Sequence, residues 1–154
     1  MSKTNNQLLI NEALKKNVFK MLAITFELSE CAKNCSEQKN NMMADKKTAE
    51  LYTNYKAEKD IQKKLNLGKE YGENKLIYKY NKCLMKHCNK IISDVIKLFR
   101  SIISAIPEND PTRKKLDKMI DELEILLKKK ELTKKEYKTY IKNMAELIVI
   151  IKPR

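Results

Sequence analysis

Two cysteine doublets carry most of the chemistry this chain could perform. Cys31 and Cys35 are four residues apart, and Cys83 and Cys88 are five apart. Residues four apart on a helix lie one turn above another on the same face, so the first doublet marks a single helical stripe. Three chemistries fit. The doublets could join as two disulfides. Alternatively Cys31, Cys35, Cys83 and His87 could form a Cys₃His zinc set, since Cys83 and His87 repeat the four-residue spacing; Cys88 would then be spare. Finally, all four could be small buried thiols, because free Cys is among the most buried residue types.

Little else points to chemistry. His87 is the only histidine and has no sequence-local nucleophile motif beside it, and no Gly-x-Ser-x-Gly, His-Glu-x-x-His or glycine-rich phosphate loop occurs. No residue is assigned a catalytic role, and an enzyme is not expected. A redox carrier is disfavoured too, because no Cys-x-x-Cys is present. Asp117, Asp121, Glu122 and Glu124 alternate with Lys114, Lys115, Lys118 and Lys128, which reads as a solvated, salt-bridged helix face rather than a metal cluster. Tyr52, Tyr55, Tyr71, Tyr78 and Tyr80 lie among lysines. That interleaving could stack single-stranded bases, but tyrosines at helical spacing more often bury their rings and keep the hydroxyl wet.

The elements that must position these residues are helices. Glycine occurs only at Gly68 and Gly72, and proline only at Pro107, Pro111 and Pro153, too little punctuation for many short strands. Ile10, Leu14, Val18, Met21, Thr25, Leu28, Ala32 and Cys35 recur at steps of three and four, predicting one long helix over 6–39, with Leu9, Leu22, Ile24 and Phe26 widening its buried face. A more exposed helix is expected within 40–66, and a turn at the two glycines in 66–72. Ile77, Tyr80, Leu84, His87 or Cys88, Ile91, Val95, Leu98 and Ile102 predict a second long helix over 74–105. Asp110 with Pro111 reads as a cap and first helical residue, and Thr133 with Glu136 as a capping box. The chain is therefore expected to be all-α: one domain over 1–154, a bundle of about five helices. Within it 6–105 supplies a long antiparallel pair and its connecting helix, and 110–152 a carboxy-terminal hairpin.

If the two long helices run antiparallel, setting Cys35 beside Cys83 also sets Leu14 beside Ser104, because both intervals are 21 residues. Cys31 then approaches Cys88 as an outer pair and Cys35 approaches Cys83 as an inner one. Facing helices can bring Cα atoms within the roughly 7 Å that a disulfide needs. Closing the inner ring of 47 intervening residues would stabilise by about 3 to 4 kcal/mol on the chain-entropy view. In this inner-and-outer order the cysteine-bearing helices resemble the twin Cys-x-x-x-Cys, coiled-coil-helix proteins of the mitochondrial intermembrane space. The second doublet departs from that pattern, with four residues between its cysteines, and the doublets stand several times farther apart than in that family.

Of the 33 basic residues 30 are Lys, Asn occurs 14 times, and the formal charge is +13. A polyanion partner is one meaning; an AT-rich genome gives the same bias through codon composition. Any nucleic-acid affinity through lysines should then be sequence-independent and fall steeply with salt. No stretch reaches the roughly 18 to 20 apolar residues of a membrane span, and the polar start followed by Lys15, Lys16 and Lys20 does not read as a signal peptide. Disulfides would then need a dedicated oxidation system, such as a mitochondrial intermembrane space or a virus with its own thiol oxidase. Virion, cytoplasm and intermembrane space all fit.

The expected function is a non-enzymatic structural or assembly component, for example a minor virion protein of an AT-rich large DNA virus or an organellar subunit, with protein partners or self-association. A lysine-rich, sequence-independent nucleic-acid-binding or packaging protein is the alternative. No cofactor is called for, zinc excepted. The expected contact surface is the last helix, where Leu147, Ile148 and Ile151 belong to a run that is apolar on every side.

Overall fold

The computed structural model describes residues 3–152, with side chains from Asn5 onward. Met1, Ser2, Pro153 and Arg154 lie outside the described residues, and with them the extreme start of the chain and the proline expected to end the last helix. The described chain is all-α. Its elements are α1 (Lys3–Lys16), α2 (Val18–Ala32), a 3₁₀ turn (Lys33–Cys35), α3 (Ser36–Ala44), α4 (Lys46–Ala57), α5 (Ile61–Glu73), α6 (Lys75–His87), α7 (Asn89–Ile103), α8 (Pro111–Leu127) and α9 (Lys134–Ile151).

About five helices was too few, because the long periodic stretches are broken by local hydrogen bonding that periodicity cannot register. At Asn17 the backbone N–H is shared between the Ala13 and Leu14 carbonyls, and the side-chain amide donates to Ala13 O at 2.7 Å. Such a residue competes with the regular ladder, and the helix restarts after it. The interruptions at Cys35 (φ −110°, ψ 22°) and Cys88 (φ −116°, ψ 19°) likewise leave the helical region. Burial overturns part of the expected stripe. Ile10 and Leu14 are buried, but Val18 and Thr25 face solvent, and beyond Asn17 the inward side is Met21, Ile24, Leu28 and Cys31.

The turn expected at the glycines is also absent. α5 runs through Gly68 and Gly72 without positive φ and ends at Asn74, whose Oδ1 accepts from the N–H of Leu76 and Ile77 and starts α6. Asp45 caps α4 in the same way through Thr48, and the Thr48 hydroxyl in turn accepts from Asn74 Nδ2 at 3.1 Å, so two helix starts share one buried threonine. Asp110 caps α8 with Pro111 in the first turn, and Thr133 and Glu136 form the expected capping box of α9.

The antiparallel pairing of the two cysteine-bearing stretches is present: α1 and α2 pack on α7, and α2 and α3 pack on α6. α8 lies on α7, and α9 closes the bundle against α8, α7 and above all α5. Ile77, Ile96, Ile102, Leu116, Ile120, Leu123 and Leu147 are fully buried between these layers, each contributing about 1.5–3 kcal/mol by leaving water. The partner that α5 gives α9 corrects the expected contact surface. Leu147 and Ile151 are buried within the chain and Ile148 is half-buried, so the terminal helix is core on the side that looked surplus.

Candidate functional site: a stapled helix pair with an exposed apolar face

Register, rather than any local motif, brings the cysteines together. Cys31 near the end of α2 meets Cys88 at the α6–α7 break, and Cys35 at the end of the 3₁₀ turn meets Cys83 on α6; both pairs have Cα atoms 5.9 Å apart and sulfurs at bonding distance. These are the outer and inner pairs of the antiparallel alignment. Cys35 is wholly buried and Cys83 nearly so, whereas Cys31 is half-exposed. Cys31 Sγ lies 3.3 Å from the His87 carbonyl oxygen. Bonded to Cys88 it has no proton to donate, so this is a contact; only a reduced thiol could make it a hydrogen bond.

The structure gathers a different set from the Cys₃His one. Cys88, not His87, completes the group with Cys31, Cys35 and Cys83, and sulfurs bonded to each other offer no thiolate to a metal. His87 is exposed at the last turn of α6, and among the described residues no group of three or more His, Cys, Asp or Glu side chains gathers in metal-binding geometry.

No protein-family model, curated protein or solved structure matches this chain. The site must therefore be read from its own geometry.

The staple holds α2 by its inner side against α6 and α7. Its outer side is left uncovered. Phe19 is 84% exposed, Phe26 68% and Leu22 61%, with Val18 beside them at 44%. Phe19, Leu22 and Phe26 follow at steps of three and four, so they form one stripe. Leu22 and Phe26, expected to widen the buried face, lie across the helix from the Ile10, Leu14, Met21, Ile24 and Leu28 side, whose helical steps continue through Asn17. Beside the stripe runs a row of exposed residues at the same steps: Lys16 at the end of α1, then Lys20, Ala23, Glu27 and Glu30 on α2. Its charges read positive, positive, neutral, negative, negative along the helix.

The other sequence candidates resolve into structural roles. The carboxylates of α8 do sit on an ion-paired face, but arginines rather than the interspersed lysines hold it. Arg100 of α7 reaches Asp121 at 2.6 Å and Glu124 at 3.2 Å, Arg113 holds Asp117 at 3.0 Å, and Glu122 accepts from Asn143. The guanidinium fork matches carboxylate geometry better than an ammonium does. The tyrosines stack on one another: Tyr55 and Tyr71 lie with ring centroids 3.9 Å apart, and Tyr78 meets Tyr137 edge to face at 4.8 Å. Burial raises the pKa of Tyr55, Tyr71, Tyr137 and Tyr140, as expected for phenols kept neutral inside the bundle. Lys82, Lys86, Lys128, Lys129 and Lys130 line a surface hollow of about 880 Å³. Four of them sit at or just beyond the carboxy-terminal ends of α6 and α8, where a helix dipole favours cations. Lys82 and Lys129 are paired with Glu131 and Glu136.

Proposed function

We propose that this chain is a non-enzymatic assembly module, a stapled helical scaffold that presents the outer face of α2 for docking, and that the occupant of that face is a second copy of the chain. The observation that carries this is the exposed Phe19–Leu22–Phe26 stripe. Two phenylalanine rings of about 150–250 Å² each, exposed at 84% and 68%, put a few hundred Å² of apolar surface in water, the scale that marks an interface rather than scattered surface residues.

The charge row argues for the second copy. When two α2 helices cross antiparallel about a two-fold axis near Leu22 and Ala23, Lys16 faces Glu30, Lys20 faces Glu27, and Phe19 faces Phe26 of the other copy. An isologous contact needs such self-complementarity, because the same patch serves both sides. Parallel pairing would instead set this row against the opposite flank of the stripe, where Val18, Thr25 and Ser29 stand, and leave its charges unmatched. Glu30 is already paired with Lys33 of its own stretch at 3.0 Å, so Lys20 with Glu27 is the pair that most favours the antiparallel sense. A nucleic-acid-packaging reading has less behind it: the tyrosines that could stack bases are occupied with one another, and the densest lysine group is accounted for by helix ends and ion pairs.

Sedimentation velocity of the oxidised protein tests the reading. The wild type should run as a dimer that dissociates on dilution, and Leu22→Glu should run as a monomer with an unchanged circular dichroism melt, since Leu22 touches solvent rather than core. A wild type that stays monomeric at every concentration would contradict it.

A further inference from the structure

A second feature, independent of the α2 face, lies on the inner side of the bundle. A cavity of about 310 Å³ opens where α4, α5, α6, α7 and α9 meet. Its lining is largely apolar, with Leu84, Val95, Phe99, Met144 and Ile148 contributing, and its charged residues are Lys56, Lys64 and Lys152, with no carboxylate among them. Lys64 is 5% exposed, and Lys is almost never buried without a partner. What Lys64 has is the ring of Tyr55, 4.9 Å from its ammonium nitrogen to the centroid; among the described residues no carboxylate lies within ion-pair distance of Lys56, Lys64 or Lys152.

From this lining we infer that the cavity is a binding site for an amphipathic anion, a carboxylate or phosphate headgroup on an unbranched apolar chain. The ammonium groups of Lys64, Lys56 and Lys152 would hold the headgroup, and the wall of α6, α7 and α9 would hold the chain. At about 30 Å³ for each water-sized group, the volume admits about ten heavy atoms, the chain of such an amphiphile with its headgroup left among the lysines, and it falls at the lower end of the range for small-molecule sites.

The lysines are poised for such a ligand. Desolvation first, then the positive charges of Lys56 and Lys152, lower the pKa of Lys64, with the Glu58 carboxylate opposing them in part. Lys56 stays exposed over much of its surface, but desolvation followed by the charges of Lys39 and Lys152 lowers its pKa too. Three cations converging on one apolar hollow repel each other when it is empty, and an anion seated among them relieves that repulsion. A neutral chain of the same length gains only the apolar contact.

Isothermal titration of the oxidised, full-length protein with decanoate, decyl phosphate, decanol and decyltrimethylammonium tests the assignment. Decanoate or decyl phosphate should bind saturably at one per chain, and whichever is tighter identifies the headgroup. Decanol should bind roughly tenfold or more weakly, and the cation not at all. Lys64→Met keeps the stem and removes the charge, so it should weaken the anions by roughly tenfold or more while leaving decanol unchanged. Ala145→Leu, which fills the cavity wall, should abolish binding of both anions and decanol; if that variant does not fold, the Lys64→Met and decanol comparisons decide alone. No saturable anion binding, equal affinity for decanol and decanoate, or anion affinity unaltered in Lys64→Met would each overturn the proposal.

Discussion

At the scale of single residues, the four cysteines differ in how solvent reaches them. Cys35 is 0% exposed and bonded to the buried Cys83, while in the outer pair Cys88 is buried and Cys31 is partly exposed. Thiol–disulfide exchange requires a thiolate to reach a sulfur, so access controls which bond opens first. Under mild reductant, quenched by alkylation and mapped by mass spectrometry, Cys31 and Cys88 should be labelled before Cys35 and Cys83. Simultaneous labelling, or the inner pair first, would show that local opening rather than exposure governs reduction. The pairing was legible in the sequence because it follows from one register of two periodic stripes. Lys64 was not, because nothing in Gln62-Lys63-Lys64-Leu65 distinguishes a buried lysine from the solvated one before it; its burial depends on Tyr55 of the preceding helix and on α9, which is distant in sequence.

Among the elements, capping was legible and interruption was not. Asp110 with Pro111 and Thr133 with Glu136 signal helix starts within four residues, and the structure uses both. The breaks at Asn17 and at Cys35 and Cys88 have no comparable local signature. The glycines misled for the converse reason: glycine is common where helices end, but Asp60 and Asn74 provide the actual boundaries of α5 and the glycines fall between them. That placement makes a prediction. Gly68 has ordinary helical φ, and a Cβ added there would meet only the Tyr55 ring edge at 3.7 Å, a normal van der Waals contact. Gly68→Ala should therefore stabilise the protein by about 0.5–1 kcal/mol in a denaturant titration, through reduced backbone entropy in the unfolded chain. A destabilised variant would mean that α5 and α4 pack more closely than the structure shows.

For the whole molecule, the division between core and surface was the hardest thing to read from sequence. The run from Leu147 to Ile151 looked surplus because α8 alone could not cover it, yet α5 supplies the missing cover. The true surplus is on α2, where Phe19, Leu22 and Phe26 lie across the helix from its buried side and face outward. The net charge of +13 says little about this surface, since what matters there is the order of charges along one row. That order gives the account its most direct test, in native mass spectrometry of Lys20→Glu and Glu27→Lys, each alone and then mixed. Alone, each variant sets like charges against each other in the antiparallel pair and should dimerise more weakly than the wild type. Mixed, the carboxylate introduced at position 20 of one copy faces the ammonium introduced at position 27 of the other, and the unchanged Glu27 of the first faces the unchanged Lys20 of the second. The mixed dimer should therefore exceed both self-dimers well beyond the statistical share. A statistical mixture, or no association in any sample, would contradict docking through α2.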